Sequence, residues 1–252
     1  MQILLANAKI MFERSSRKPL STPLFQSVAG KLAEEMARLE VDELARQLEC
    51  SLKLAAENHH RYQAFRSATP MPALLAYNGQ AYKHLKAQML SEEDLAFAQK
   101  HLWITCFLYG LLRPMDAIVP YRMEHSVRLD TTGDKPVRQY WKDKLTDVLI
   151  DSIKADDGTL LHLSTEEYEH LFDWQRVGQE VQVIHPLFYV MQPDGTLNMQ
   201  AVWAKSCRGA MVRHIIQNRI SSPDDLKAFA YEGFEYAPQY GERAYPHFIR
   251  LT

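Results

Sequence analysis

Residues 106–122 read Cys106-Phe-Leu-Tyr-Gly110-Leu-Leu-Arg113-Pro-Met-Asp116-Ala-Ile-Val-Pro120-Tyr121-Arg122. An apolar segment reaches Gly110. Pro114 and Pro120 then stop any long helix, because proline lacks the backbone N–H and clashes with the preceding turn. Between and after them sit Arg113, Asp116, Tyr121 and Arg122, charged and aromatic groups carried on fixed turns. A glycine ahead of a basic, proline-punctuated loop lets backbone come close to a phosphate. The plainer reading is a buried turn in which Arg113 pairs with Asp116 and closes the fold.

Upstream, Ser91-Glu-Glu-Asp94 is a helix N-cap with acids in its first turn. It opens a helix carrying Leu95, Ala98, Leu102 and Thr105 on one side, which runs into the quoted stretch. Further back, residues 3–6 read as a first buried strand. Val28, Leu32, Met36 and Leu39 recur at helical spacing. Asp42 is placed to cap a second helix, a third begins at Ser51, and residues 73–77 read as a short strand before Asn78-Gly79. Downstream, residues 137–154 carry Trp141, Leu145, Leu149 and Ile153 at helical spacing, and residues 160–163 form a strand. Gln192-Pro-Asp-Gly195 marks a hairpin between strands at 180–191 and 197–203. Residues 205–219 read as a helix, and 234–236 and 247–251 as edge strands. Helices and strands interleave without strict alternation, which predicts a mixed α/β sheet with surrounding helices, one domain over residues 1–252.

With 46% hydrophobic and 24% charged residues, the 252-residue chain can bury a sizeable core. The net charge of -2 argues against a uniformly basic protein, yet the charges are uneven. Residues 58–91 hold no acid but contain Arg61, Arg66, Lys83 and Lys86. Residues 195–223, between Asp194 and Asp224, hold Lys205, Arg208, Arg213 and Arg219 and again no acid. Burial explains the missing acids of the second block but not its four cations, so a shared anion-binding groove is expected. Lys205-Ser-Cys207-Arg208-Gly209 follows a strand and is expected to start a helix, where free N–H groups favour an anion. Lys9, just after the first strand, is expected at the same edge. There is no Walker glycine pattern. Cys50, Cys106 and Cys207 are odd in number and lack Cys-x-x-Cys, which fits a reducing cytoplasm. No stretch approaches membrane-spanning length.

Pro72-Ala-Leu-Leu-Ala-Tyr77-Asn-Gly79-Gln-Ala-Tyr82, Leu108-Tyr109-Gly110-Leu-Leu-Arg113-Pro114-Met-Asp116 with Pro120-Tyr121-Arg122, and Lys205-x-x-Arg208-Gly209 stand in the order and spacing of the YaaA family of peroxide-stress proteins, which the chain resembles nearly end to end. The resemblance implies a single-domain α/β fold with a helix-hairpin-helix element, here near residues 92–124. It also implies binding of double-stranded or structured DNA without sequence preference, and a cytoplasmic role in limiting oxidative damage. The chain departs from the family at Phe107, where glycine is usual, and at His162, where asparagine is usual.

Carried onto this sequence, Lys9, Tyr109, Gly110, Arg113, Tyr121, Arg122, Lys205, Arg208, Gly209 and Arg213 are the expected DNA or phosphate contacts. The alternative is an enzyme acting on a damaged nucleobase or a small phosphorylated substrate. Lys9 or Lys205 would then be nucleophile or clamp, and Asp116, Glu124 or Glu167 the acid/base partner. Cys207, beside two cations, is either a low-pKa peroxide sensor or a packed side chain. His59 and His60 are adjacent, His162 and His185 fall on separate strands, and no H-x-x-E-H pattern occurs, so no metal site is expected. Neither a cofactor nor a membrane partner is expected, and the chain is expected to be a monomer.

Overall fold

The computed structural model describes residues 1–251. Its strands and helices run β1 (Gln2–Ala6), α1 (Gln26–Arg38), α2 (Val41–Gln47), α3 (Leu52–Gln63), β2 (Met71–Pro72), α4 (Ala73–Ala76), α5 (Gln80–Leu85), α6 (Glu92–His101), β3 (Leu102–Cys106), β4 (Gly110–Leu112), β5 (Ala117–Ile118), α7 (Val137–Lys154), β6 (Thr159–Leu163), α8 (Glu166–Glu169), α9 (Trp174–Glu180), β7 (Gln182–Ile184), β8 (Leu187–Met191), β9 (Leu197–Asn198), α10 (Ala201–Asn218), β10 (Ala230–Tyr231), β11 (Phe234–Glu242) and β12 (Tyr245–Leu251). The class is mixed α/β, as the interleaved pattern predicts.

The central sheet has the order β4-β3-β1-β6-β7. Within it β3, β1, β6 and β7 are mutually parallel, and β4 turns back antiparallel on β3. Parallel strands covered on both faces need continuous apolar sequence rather than alternation. Accordingly Ile3, Leu4 and Leu5 are at most 1% exposed, and all five residues of β3 are buried. Trp141, Leu145, Leu149 and Ile153 form the buried stripe of α7; Ala29, Leu32, Ala33 and Met36 form that of α1. A second sheet, β10-β11-β12-β8-β9, contributes Phe188, Phe234 and Phe248 to the same hydrophobic cluster. In it β12 is the middle strand, paired in parallel with β8, not an edge. Among the described residues no helix is long and apolar enough to cross a membrane.

The stretch quoted first folds differently from expectation. Ser91 and Asp94 form the capping box of α6, but the helix stops at His101 and Leu102 continues as strand. An apolar run without polar punctuation suits a doubly buried strand as well as a helix, and pairing with β1 decides it. Residues 92–124 therefore form helix, strand, tight turn and antiparallel strand, with no second helix, so the expected helix-hairpin-helix is absent from this segment. Gly110 takes a φ of +72°, and a Cβ there would come within 2.9–3.1 Å of Leu145 and Trp141. The glycine thus serves the turn and its packing against α7, not a phosphate. Two smaller expectations also change. Residues 73–76 are a helical turn rather than a strand, and α2 begins after Glu40 with Asp42 inside its first turn.

Candidate functional site

In open α/β sheets, a crevice forms at the carboxyl ends of the strands where neighbouring connections leave in opposite directions. Here that point is β1, flanked by β3 on one side and β6 on the other. A cavity of about 310 Å³ opens there, lined by residues 5–10 at the end of β1 and just beyond it, Leu163, Thr165, Glu167 and Tyr168 at the end of β6 and just beyond it, residues 79–82 at the start of α5, and Lys205 and Arg208 of α10. Two glycines make this convergence possible. A Cβ on Gly79 would lie 2.5 Å from the Cβ of Ala8. A Cβ on Gly209 would lie 1.8 Å from the carbonyl oxygen of Ala81, so α10 crosses α5 in backbone contact and brings its basic face to the cavity.

The loop after β1 is fixed from below. Tyr168 donates its hydroxyl hydrogen bond to the Asn7 side-chain oxygen, and Asn7 Nδ2 donates to Tyr121 at 3.2 Å. Tyr121 and Tyr77 share a hydroxyl contact of 2.8 Å, and Tyr82 donates to the Ala6 carbonyl at 3.0 Å. Burial holds all four phenols well above their usual range, so they remain neutral donors.

Cations dominate the rim. Lys9 Nζ lies 2.6 Å from Oε2 of buried Glu124, and Arg122 lies 2.6 Å from its Oε1. One carboxylate thus serves two cations and leaves the group net positive. Lys205 is exposed and forms no ion pair among the described residues. Arg208 is half-buried, and its Nε is buried without a hydrogen bond; among the described residues no carboxylate lies within ion-pair distance of its guanidinium. Burial pulls its pKa down, yet an arginine stays charged in proteins. Burial of His185, and after it the field of Arg208, push that histidine down to about 4. A buried, unpaired guanidinium is costly unless something anionic meets it. Glu167 is the one carboxylate residue on the cavity wall among the described residues.

The other expected contacts separate into two groups. Arg213 lies farther along α10, outside the cavity, and its Nε donates to Gln217 at 3.0 Å. Tyr109, Gly110, Arg113, Asp116 and Tyr121 belong to the interior or to the opposite end of the sheet. Tyr109 is 1% exposed and stacks on Phe65, so no base can lie on it. Arg113 donates to the Gln2 side-chain oxygen and to the Lys100 and Leu102 carbonyls at 3.1–3.2 Å, with its guanidinium 3.4 Å over Trp103. Burial pushes it down to about 10. Asp116 does not ion-pair with that side chain. It accepts from the Arg113 backbone N–H at 2.8 Å and from Ser21 at 2.7 Å, tying a turn. Arg122 is committed to Glu124, and Gly209 to the helix crossing. Phe107 points into the core and stacks on Tyr168, but the turn around it is buried too, so nothing at 107–110 faces solvent. The expected helix start at Lys205 is also displaced. Because α10 begins at Ala201, Lys205 and Arg208 act through side chains on the second and third turns, not through free N–H groups.

Of the first acid-free block, Arg61 pairs with Glu13 and Arg66 with Glu34, while Lys83 and Lys86 are exposed and without an ion pair among the described residues. Lys83 and Arg14 line a second hollow of about 400 Å³ that shares Tyr82 with the first, so a second basic hollow adjoins the cavity. From the second block Arg219 pairs with Asp94.

The expectation of no metal site overlooks one cluster. His162, Glu169 and His185 each offer a ligand atom, and these atoms lie within 4.8 Å of one another. The signal lies in the parallel register of β6 and β7, which only the fold reveals.

Cys207 is not a thiolate sensor: it is fully buried, and burial pushes its thiol up to about 12. Cys106 is buried as well and pushed up to about 11. Iodoacetamide is expected to modify only Cys50 in the native protein and all three cysteines in denaturant, read by intact mass. Native labelling at Cys207 as fast as at a free thiol would contradict this burial.

A sequence model of the family described as "Peroxide stress protein YaaA" matches residues 1–240. A UPF0246 protein of Bacteroides fragilis is 47% identical over 243 residues, covering 95% of this chain and 94% of that protein. A UPF0246 protein of Bacteroides thetaiotaomicron is 45% identical over 240 residues, covering 94% and 93%. One from Porphyromonas gingivalis is 39% identical over 249 residues, covering 97% of both.

Proposed function

The chain belongs to the peroxide stress protein YaaA family, and from that premise we propose that it binds the phosphate backbone of DNA at the carboxyl edge of its parallel sheet, in the cytoplasm, limiting oxidative damage. The observation that carries this reading is Arg208: a half-buried arginine at a cavity wall, its Nε buried and unpartnered, with no carboxylate among the described residues to meet it. A protein retains such a group at a cost to stability, and an incoming phosphate offsets that cost through a two-pronged contact. Lys205 beside it, the net-positive Lys9–Glu124–Arg122 group and Lys83 beyond Tyr82 extend the charge along a track rather than a point. Sequence preference is not expected, because phosphate contacts position nucleic acid without reading bases.

The cavity volume supports a second reading, a small phosphorylated ligand, because about 310 Å³ accommodates such a molecule. An acid/base role is left to Glu167 alone, since Asp116 ties a turn and Glu124 is held by two cations. Exposed Lys205 lacks the desolvated surroundings of nucleophilic lysines.

The test is fluorescence anisotropy of a labelled duplex across a salt series. Contacts from about five cations give a log-log slope of roughly -4.5. Absence of binding at low salt would defeat the DNA reading. Displacement of duplex by stoichiometric mononucleotide would favour the small ligand instead.

A further inference from the structure

We propose that His162, His185 and Glu169 form a binding site for one divalent transition-metal ion, separate from the cationic cavity. The strands bring the two imidazoles together. β6 and β7 pair in parallel with Leu161 opposite Ile184, so the next residues, His162 and His185, emerge side by side at the carboxyl ends, with ring centroids 4.4 Å apart. Glu169 ends α8, the short helix that follows β6, and its Oε1 lies 3.4 Å from His162 Nε2. Metal bonds of about 2.0–2.1 Å in a tetrahedral shell separate neighbouring donors by about 3.3 Å. The His162–Glu169 edge already has that length, and small side-chain rotations close the others, since all three donors lie within 4.8 Å.

The second observation is an unmet need. His162 is 0% exposed, and neither of its ring nitrogens has a hydrogen-bond partner; Nε2 of His185 is also buried and unpartnered. Buried polar atoms in native proteins are nearly always satisfied, and each orphan carries a desolvation cost. One nitrogen of each ring, together with the neighbouring carboxylate of Glu169, makes a donor set for a metal. Glu169 keeps 23% of its side-chain surface in solvent and His185 is half-buried, so an ion has a path in.

The donor chemistry sets the class. Two imidazoles and one carboxylate suit Zn²⁺, Fe²⁺ or Co²⁺ and are too few oxygens for Ca²⁺ or Mg²⁺. Three protein ligands leave a coordination position open.

The test uses the full chain stripped with a chelator and titrated with Zn²⁺ by calorimetry and with Co²⁺ by visible absorption. One saturable equivalent and a tetrahedral or five-coordinate Co²⁺ spectrum are expected. Glu169→Gln and His185→Ala, at half-buried positions, are expected to weaken binding at least about tenfold while leaving near-ultraviolet circular dichroism unchanged. His162→Asn adds the buried ligand, and the two others keep the test decisive should it misfold. A His59→Ala/His60→Ala control is expected to bind normally. Substoichiometric binding, unchanged affinity in folded His185→Ala, or loss of binding in the control would each overturn the proposal.

Discussion

Arg208→Met is expected to weaken duplex binding at least about tenfold at moderate salt and to reduce the salt slope by about one, while the thermal midpoint holds or rises. The two effects have one origin. Arg208 has no hydrogen bond at Nε and no carboxylate partner among the described residues, so its charge contributes desolvation cost and little else to the free protein. Methionine keeps much of the aliphatic volume and removes the charge, which favours folding by about 1 kcal/mol. Arg113→Met is the counterpart. That guanidinium satisfies Gln2 and two strand carbonyls and covers Trp103. Its removal orphans buried acceptors, so stability is expected to fall by about 2–3 kcal/mol with DNA affinity of the folded protein unchanged. Both arginines belong to motifs with the same apparent basic character in sequence. Anisotropy titrations and thermal melts on the pair distinguish a guanidinium held for a ligand from one held for the fold. If Arg208→Met melts early and binds normally, the site reading fails.

How far the sequence reveals this depends on the range of each interaction. Local signals were legible: the Ser91–Asp94 capping box, the buried stripe of α7 at residues 137–154, and β1 as an unbroken apolar run. Lys205 and Arg208, three apart in an acid-free block, were legible as neighbouring cations on one helix. The start of their helix was not, because Gln200 offers no side-chain cap and the residues before it read as extended. Residues 102–112 are apolar on every side, so periodicity could not separate a helix from a doubly buried strand. Whether an arginine or lysine faces a ligand or the fold depends on distant partners: Arg113 on Gln2, Lys9 on Glu124. The pairing of His162 with His185 depends on strand register, which no local motif encodes.

Gly209→Ala is expected to destabilise the protein by about 3 kcal/mol or more, against the sign that helix propensity predicts. In an unconstrained helix, glycine to alanine is favourable by about 1 kcal/mol. Gly209 sits mid-helix in α10, yet its Cβ position lies 1.8 Å from the Ala81 carbonyl oxygen, 2.6 Å from its carbon and 2.9 Å from its Cα. The obstacle is backbone, which cannot rotate away as a side-chain tip would. α5 and α10 must therefore separate, and overpacking of that kind costs more than propensity returns. Gly30→Ala in α1 supplies the control. A methyl group there would meet no atom within 4 Å, so that variant is expected to gain up to about 1 kcal/mol. Denaturant unfolding of the two variants reads both signs directly. The separation also has a functional consequence. α5 supplies residues 80–82 of the cavity wall and α10 supplies Lys205 and Arg208, so moving the helices apart disperses the cations proposed to meet phosphate. Folded Gly209→Ala is accordingly expected to bind duplex more weakly than wild type, although the glycine itself touches no ligand. A Gly209→Ala variant as stable as Gly30→Ala would mean that the helices do not meet at this crossing, and the assembly of the site from α5 and α10 would fall with it.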